Sequence, residues 1–185
     1  MRKIVVSEFL SLDGVMEGPG NQGKFELAGW TMPYWNTEIG KFKKEELFDC
    51  NCLLLGRITY QGFAEAWPSR KDEQGFADRM NSIPKYVAST TLKQLDWNNS
   101  HLISGHLAGE VMMLKEKSGK DILVAGSSVL IQTLMAHDLI DEFRLLLYPV
   151  ILGSGKRLFK DGSFKKLKEV EAKALGKSVM LLKYR

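Results

Sequence analysis

Cysteine is scarce in this chain: Cys50 and Cys52 are the only two in 185 residues. Residues two apart on a strand point the same way, and such neighbours rarely bridge. No second pair of ligands follows at zinc spacing, so no metal site is expected. The pair reads as reduced core thiols of a cytosolic protein. Long apolar runs are missing as well, and nothing approaches the roughly 20 residues of a membrane span. The start, Met1 to Glu8, is basic but has neither a long apolar region nor a cleavage site, so it reads as a first strand and not a signal peptide. Histidine is rare: His101, His106 and His137 have no neighbouring acid and nucleophile, which argues against a histidine-centred triad. Aromatic and basic residues do not interleave, so no nucleic-acid groove is expected. Repeats, low-complexity tracts and interdomain linkers are lacking, and residues 1–185 read as one domain.

What is present is ordinary in bulk and specific in places. The apolar fraction is 44%, the charged fraction 26% and the net charge +4, values typical of a globular protein. Lys165, Lys166, Lys168, Lys173, Lys177 and Lys183 carry much of the basic excess. They read as a solvated face, with attraction of an anionic ligand as the alternative. The most informative stretch is Asp121 to Met135. Ile122 to Ala125 is a short apolar run suited to a covered parallel strand. It stops at Gly126, where the missing Cβ allows close approach of a ligand. Ser127 or Ser128 is placed to cap a helix whose apolar residues Val129, Leu130, Leu134 and Met135 recur at helical spacing. Such a strand–glycine–helix turn gathers free N–H groups and a positive dipole end, a seat for phosphate.

Two further strand exits repeat the idea. Cys50 to Leu55 is nearly all apolar and ends in Gly56-Arg57-Ile58-Thr59-Tyr60. There Arg57 offers a planar fork and Thr59 a hydroxyl for phosphate oxygens. Pro84 to Ser89 is a third strand, leaving through Ser89-Thr90-Thr91. Between the first strand and the helix expected after Asn36 lies a long loop through Gly14, Gly18, Gly20, Gly23 and Gly29 to Pro33. Its rings, Phe25, Trp30, Tyr34 and Trp35, and also Met32, either cover the core edge or form an apolar wall for a planar ligand. Leu107 to Lys117 reads as an amphipathic helix. Asp141 to Tyr148 is strand-like, and a glycine turn sits within the apolar run Pro149 to Phe159. Lys166 to Ala174 and Ser178 to Tyr184 read as a closing hairpin across Gly176-Lys177. Alternating β and α followed by a mostly β ending implies an α/β fold with a largely parallel sheet and an antiparallel edge.

Taken in order, Ser11-Leu12-Asp13-Gly14, Leu54 to Tyr60, Asn81 to Ser89, Val124 to Ser128, Asp141-Glu142 and Pro149 to Phe159 resemble the dihydrofolate reductase-like superfamily. Within it the chain is similar to the family of the C-terminal reductase domain of bacterial bifunctional riboflavin-biosynthesis deaminase/reductases. The resemblance implies a twisted, mostly parallel sheet flanked by helices, with NADPH bound across the carboxyl ends of the strands. It places Gly56, Arg57 and Thr59 along the cofactor phosphates, Ser89 and Thr90 near the adenosine 2′-phosphate, and Gly126, Ser127 and Ser128 at the pyrophosphate. The loop around Asp13 would close over nicotinamide and substrate, and a homodimer is expected.

Two departures matter. Dihydrofolate reductases hold the pterin with a carboxylate on the helix before the second strand, and none of Glu38, Glu45 and Glu46 aligns cleanly with it. Glu38 fits best by position, and its alternative is a solvated first-turn acid. The riboflavin-pathway enzyme carries a zinc deaminase domain that has no counterpart here. Lys156 and Arg157 either serve a substrate phosphate or occupy a surface turn. Asp13 either lines a catalytic pocket or caps its own turn. The expected function is NADPH-dependent hydride transfer to a small heterocycle, pterin-like or riboflavin-precursor-like. The rival is a binding protein that kept the fold and lost the chemistry.

Overall fold

A computed structural model of the chain describes residues 1–21 and 24–185. Gly23, part of the expected long loop, lies outside the described residues. The strands are β1 (Ile4–Leu10), β2 (Cys50–Gly56), β3 (Lys85–Ala88), β4 (Ser100–Ile103), β5 (Asp121–Val124), β6 (Glu142–Leu147), β7 (Glu169–Leu175) and β8 (Val179–Tyr184). The helices are α1 (Thr37–Phe48), α2 (Arg57–Ala66), α3 (Phe76–Ser82), α4 (Leu107–Glu116) and α5 (Ser128–Ala136). No helix among the described residues is long and apolar enough to cross a membrane.

The strands form one eight-stranded sheet in the order β4-β3-β2-β5-β1-β6-β8-β7. Pairing is parallel from β4 to β6, and β8 and β7 add the antiparallel edge. Helices cover both faces, which explains the near-continuous apolar runs of β1, β2 and β5. On one face Leu47 of α1, Tyr60 of α2 and Met80 of α3 pack on Val5, Leu53 and Leu55. On the other, Val111 and Leu114 of α4 and Leu130, Ile131 and Leu134 of α5 pack on Ile4, Val6, Ile122 and Val124. The chain leaves β1 toward β2 across the first face and returns from β5 to β6 across the second. Strand order therefore reverses between β5 and β1, and in open α/β sheets the crevice outside the carboxyl ends at such a reversal is where ligands bind.

The two cysteines do not share a face. Cys50 packs with Leu53 and Leu55, and Cys52 with Leu54. The register against β5 shifts between them, from Cys50↔Asp121 to Cys52↔Ile122. One extra residue, Asn51, breaks the two-residue alternation that the sequence reading assumed. Both thiols are free and buried, and desolvation pushes Cys50 up to about 12.

Part of the aromatic loop covers the core edge, as one of its two expected roles. Trp30 and Tyr34, with Phe9, pack edge-on around the buried ring of Tyr148 and close the core edge. Met32 and Trp35 are each 51% exposed.

Candidate functional site at the carboxyl ends of the strands

The turns after β2 and β5 are built against each other. The Gly56 N–H donates to the Gly126 carbonyl at 3.1 Å. A Cβ on Gly56 would fall on the Ser127 hydroxyl, and one on Gly126 would come within 2.6 Å of Thr59 Oγ1. Gly126 also holds φ +90°, and the Gly126–Ser127 peptide is cis. Glycine is thus required at both turns, by contact at one and by contact and backbone conformation at the other. Gly56 ends beside Ala88 in the sheet register, so the β3 exit with Ser89 and Thr90 adjoins the same edge.

The helix N-termini differ in a useful way. Asn36 caps α1 through Glu38 and Ile39, and His106 caps α4 through Gly109. At α2 and α5 no side chain caps the first turn. Ser127 occupies the expected cap position of α5 without making the capping bond. First-turn amides that lack a side-chain cap remain free for an anion. Arg57, exposed on the first turn of α2, bonds Gln61 Oε1 at 3.1 Å and has no carboxylate partner among the described residues. Ser89 Oγ, by contrast, is engaged locally, accepting from the Thr91 and Leu92 amides at 3.2 and 3.0 Å. The structure thus brings Gly56, Arg57, Thr59, Gly126, Ser127 and Ser128 together, with Ser89 and Thr90 alongside.

The two acids proposed from sequence sit outside this pair of turns. Glu38 is exposed on the first turn of α1. That turn is tied to the β7–β8 hairpin, where Asn36 Nδ2 bonds the Leu175 carbonyl at 3.2 Å. Asp13 works as a staple. Its carboxylate accepts from Ser11 Oγ at 2.7 Å and from the Leu152 and Gly153 amides at 3.1 and 2.8 Å. The Ser11 hydroxyl foremost, then these amides, holds its carboxyl down at about 2. Four residues on, Glu17 pairs with the amide and the ammonium of Lys156, each at 2.9 Å. A bridge joins Val15 to Arg157. The loop after β1, expected to close over a ligand, is therefore fastened to the loop after β6.

Sequence reasoning missed the buried charges along the sheet. Glu46, on the inner face of α1, is only 3% exposed and is paired with Lys43 and with Ser7 Oγ at 2.8 Å. Glu142 is held by Arg144 and Arg185 at 2.8 and 2.9 Å. Glu8, unlike both, has no ion pair among the described residues. It is 7% exposed, and its Oε1 is buried with no hydrogen-bond partner among the described residues. Burial pushes its carboxyl up to about 8, against Lys43 and the Gly126 backbone N–H, which pull the other way. The pairing of β1 with β5 ends at Val6↔Val124, while pairing with β6 continues to Leu10↔Leu147. Glu8 thus stands just past the end of β5, at the crevice. The available signal was a glutamate in an otherwise apolar central strand, a position that seldom accepts one without a reason.

A profile of the RibD C-terminal domain matches residues 2–181. The chain belongs to the RibD C-terminal domain family. It is 30% identical over 187 aligned positions to the uncharacterized protein YyaP of Bacillus subtilis (strain 168), covering 99% of this chain and 94% of that protein. It is 39% identical to the uncharacterized protein YwjB of the same organism over 69 residues, 37% of this chain and 40% of that one. Among solved structures, a protein assigned to riboflavin biosynthesis from Shewanella sp. PV-4 superposes with a TM-score of 0.73 at 23% identity, over 98% of this chain and 97% of that one. Dihydrofolate reductase from Enterococcus faecalis, complexed with NADP(H) and RAB-propyl, superposes with a TM-score of 0.64 at 16% identity, over 98% and 95%. The fold is thus that of the dihydrofolate reductase-like superfamily.

Proposed function

We propose that this protein is an NADPH-dependent reductase that transfers a hydride to a small heterocyclic substrate, pterin-like or riboflavin-precursor-like. The observation that carries the reading is the pair of glycine turns, packed on each other at the carboxyl ends of β2 and β5, with two uncapped helix N-termini beside an arginine that has no carboxylate partner among the described residues. The donor set fits a dinucleotide. Backbone amides and hydroxyls suit a pyrophosphate, Arg57 suits a phosphate, and a Cβ at either glycine would fill the cradle. Gly56, Arg57, Thr59, Gly126, Ser127 and Ser128 would hold the phosphates, and Ser89 and Thr90 the adenosine end. When bound, NADPH supplies the hydride, and the chain supplies orientation and water exclusion. Family membership and the likeness to a reductase complexed with NADP(H) support this reading.

A second reading, a binding protein without turnover, is favoured by one observation. The inner carboxylate of α1, Glu46, is already neutralised by Lys43. Titration with NADPH and NADH, followed by nucleotide fluorescence, separates the possibilities. Binding with NADPH preferred, then oxidation on a panel of pterin, flavin and ribitylaminopyrimidine acceptors, establishes the reductase. Binding without oxidation of any acceptor supports the second reading, and no binding of either nucleotide overturns the reductase and leaves a fold repurposed for another small molecule.

A further inference from the structure

Two buried acids keep an oxygen without a hydrogen-bond partner among the described residues, Glu8 through Oε1 and Glu46 through Oε2. Glu46 nevertheless pairs with Lys43 and accepts from Ser7 Oγ, whereas Glu8 has no ion pair among the described residues. Glu8 has a buried oxygen and no hydrogen-bond partner for it among the described residues. A central strand does not carry such a group cheaply: an unpaired buried polar atom costs stability, and a buried charge costs more. Its place, two residues past the last β1–β5 pair and beside the Gly126 turn, is where a ligand of the crevice would lie.

We propose that Glu8 is the acid of this site: its carboxyl hydrogen-bonds a ring nitrogen or carbonyl oxygen of a substrate held against the carboxyl end of β1 and delivers the proton that completes the reduction. The proposal rests on the reductase reading above. It places the acid on the strand, where dihydrofolate reductases use the helix. The surroundings keep Glu8 protonated near neutral pH. Burial dominates, Glu46 of α1 adds to it, and Lys43 of α1 and the Gly126 N–H oppose it. Arg144 of β6 is occupied, 2.8 Å from Glu142 and 3.9 Å from Glu46.

The step balances. The C=N or C=O carbon of the acceptor gains a hydride from the reduced nicotinamide. The π pair moves to nitrogen or oxygen, and that atom takes the Glu8 proton. The nicotinamide ends oxidised. Glu8 ends as a carboxylate in the field of Lys43 and regains a proton from solvent. The substrate class is therefore a heterocycle with a ring imine or carbonyl whose lone pair can accept from an acid.

Infrared titration of the whole protein, wild type against Glu8→Gln, tests this with and without saturating NADP+. The wild type should show the C=O stretch of a protonated carboxyl, absent from E8Q, with a midpoint at about 8. The positive ring of NADP+ should lower that midpoint by roughly one to three units, as a nearby opposite charge does. If E8Q does not fold, Glu8→Asp, whose band is displaced, provides the reference. An absent band, or a midpoint unmoved while NADP+ is bound, overturns the role of Glu8 and leaves the reductase reading standing. Failure of NADP+ to bind the wild type, measured in parallel by calorimetry, overturns that reading and the Glu8 role with it.

Discussion

Gly126 and Arg57 act on the same turn pair by different means. Gly126 combines φ +90° with a close neighbour, so an added methyl group meets Thr59 and strained backbone at once. Gly126→Ala is expected to cost about 1–3 kcal/mol in chemical denaturation, the usual cost of such a conformation, and to weaken nucleotide binding as well. Arg57 is exposed and bonds only Gln61, so its removal leaves the fold intact. Arg57→Ala should weaken NADPH binding by about 1.5–3 kcal/mol, the range for a bond to a charged group, with an unchanged melting temperature. Unaltered affinity in that variant would assign Arg57 to the surface. Both residues were legible in the sequence because each follows a buried strand directly. Glu8 was not read as a site residue: its importance depends on where its neighbour strand stops, which no local pattern records.

At the scale of elements, the loop after β1 and the loop after β6 behave as one piece. Asp13, Glu17 and the Val15–Arg157 bridge join stretches about 140 residues apart in the chain. The Asp13 carboxyl has a depressed pKa, so its contribution is fully present above the unfolded value of about 3.9. It is lost as pH falls through about 2. Denaturation midpoints measured across that window should show a shallower acid loss for Asp13→Asn than for wild type. An identical acid limb would mean that the staple contributes nothing. The strand–helix alternation was readable from apolar runs and glycines, and so was the hairpin of β7 and β8. The bulge at Asn51 was not, since a single inserted residue leaves the composition of β2 unchanged while reversing the face of Cys50 relative to Cys52.

For the whole molecule, Glu8 couples the crevice to stability. Its pKa is raised, so the native state keeps a proton that the unfolded chain releases at about 4.3. Stability from this group is full below that pH, declines as pH rises toward about 8, and then levels off. E8Q should show a smaller stability difference between about pH 5 and about pH 8 than wild type does; equal differences would place the Glu8 carboxyl in water. Nucleotide binding should also stabilise the fold as a unit, by about 2.7 kcal/mol at a hundredfold excess over Kd.

The sequence by itself determined the parallel α/β order, the antiparallel ending and the glycine turns that recur at strand exits. These follow from hydrophobic period and from backbone chemistry that acts over a few residues. Tertiary structure alone decided that β5 inserts between β2 and β1, bringing Gly56 against Gly126. It also decided that Asp13 is used as a staple, that Glu46 pairs with Lys43, and that Glu8 keeps one buried oxygen with no hydrogen-bond partner among the described residues. Those outcomes depend on which distant groups share a low-dielectric interior, and burial and pairing are properties of the assembled sheet.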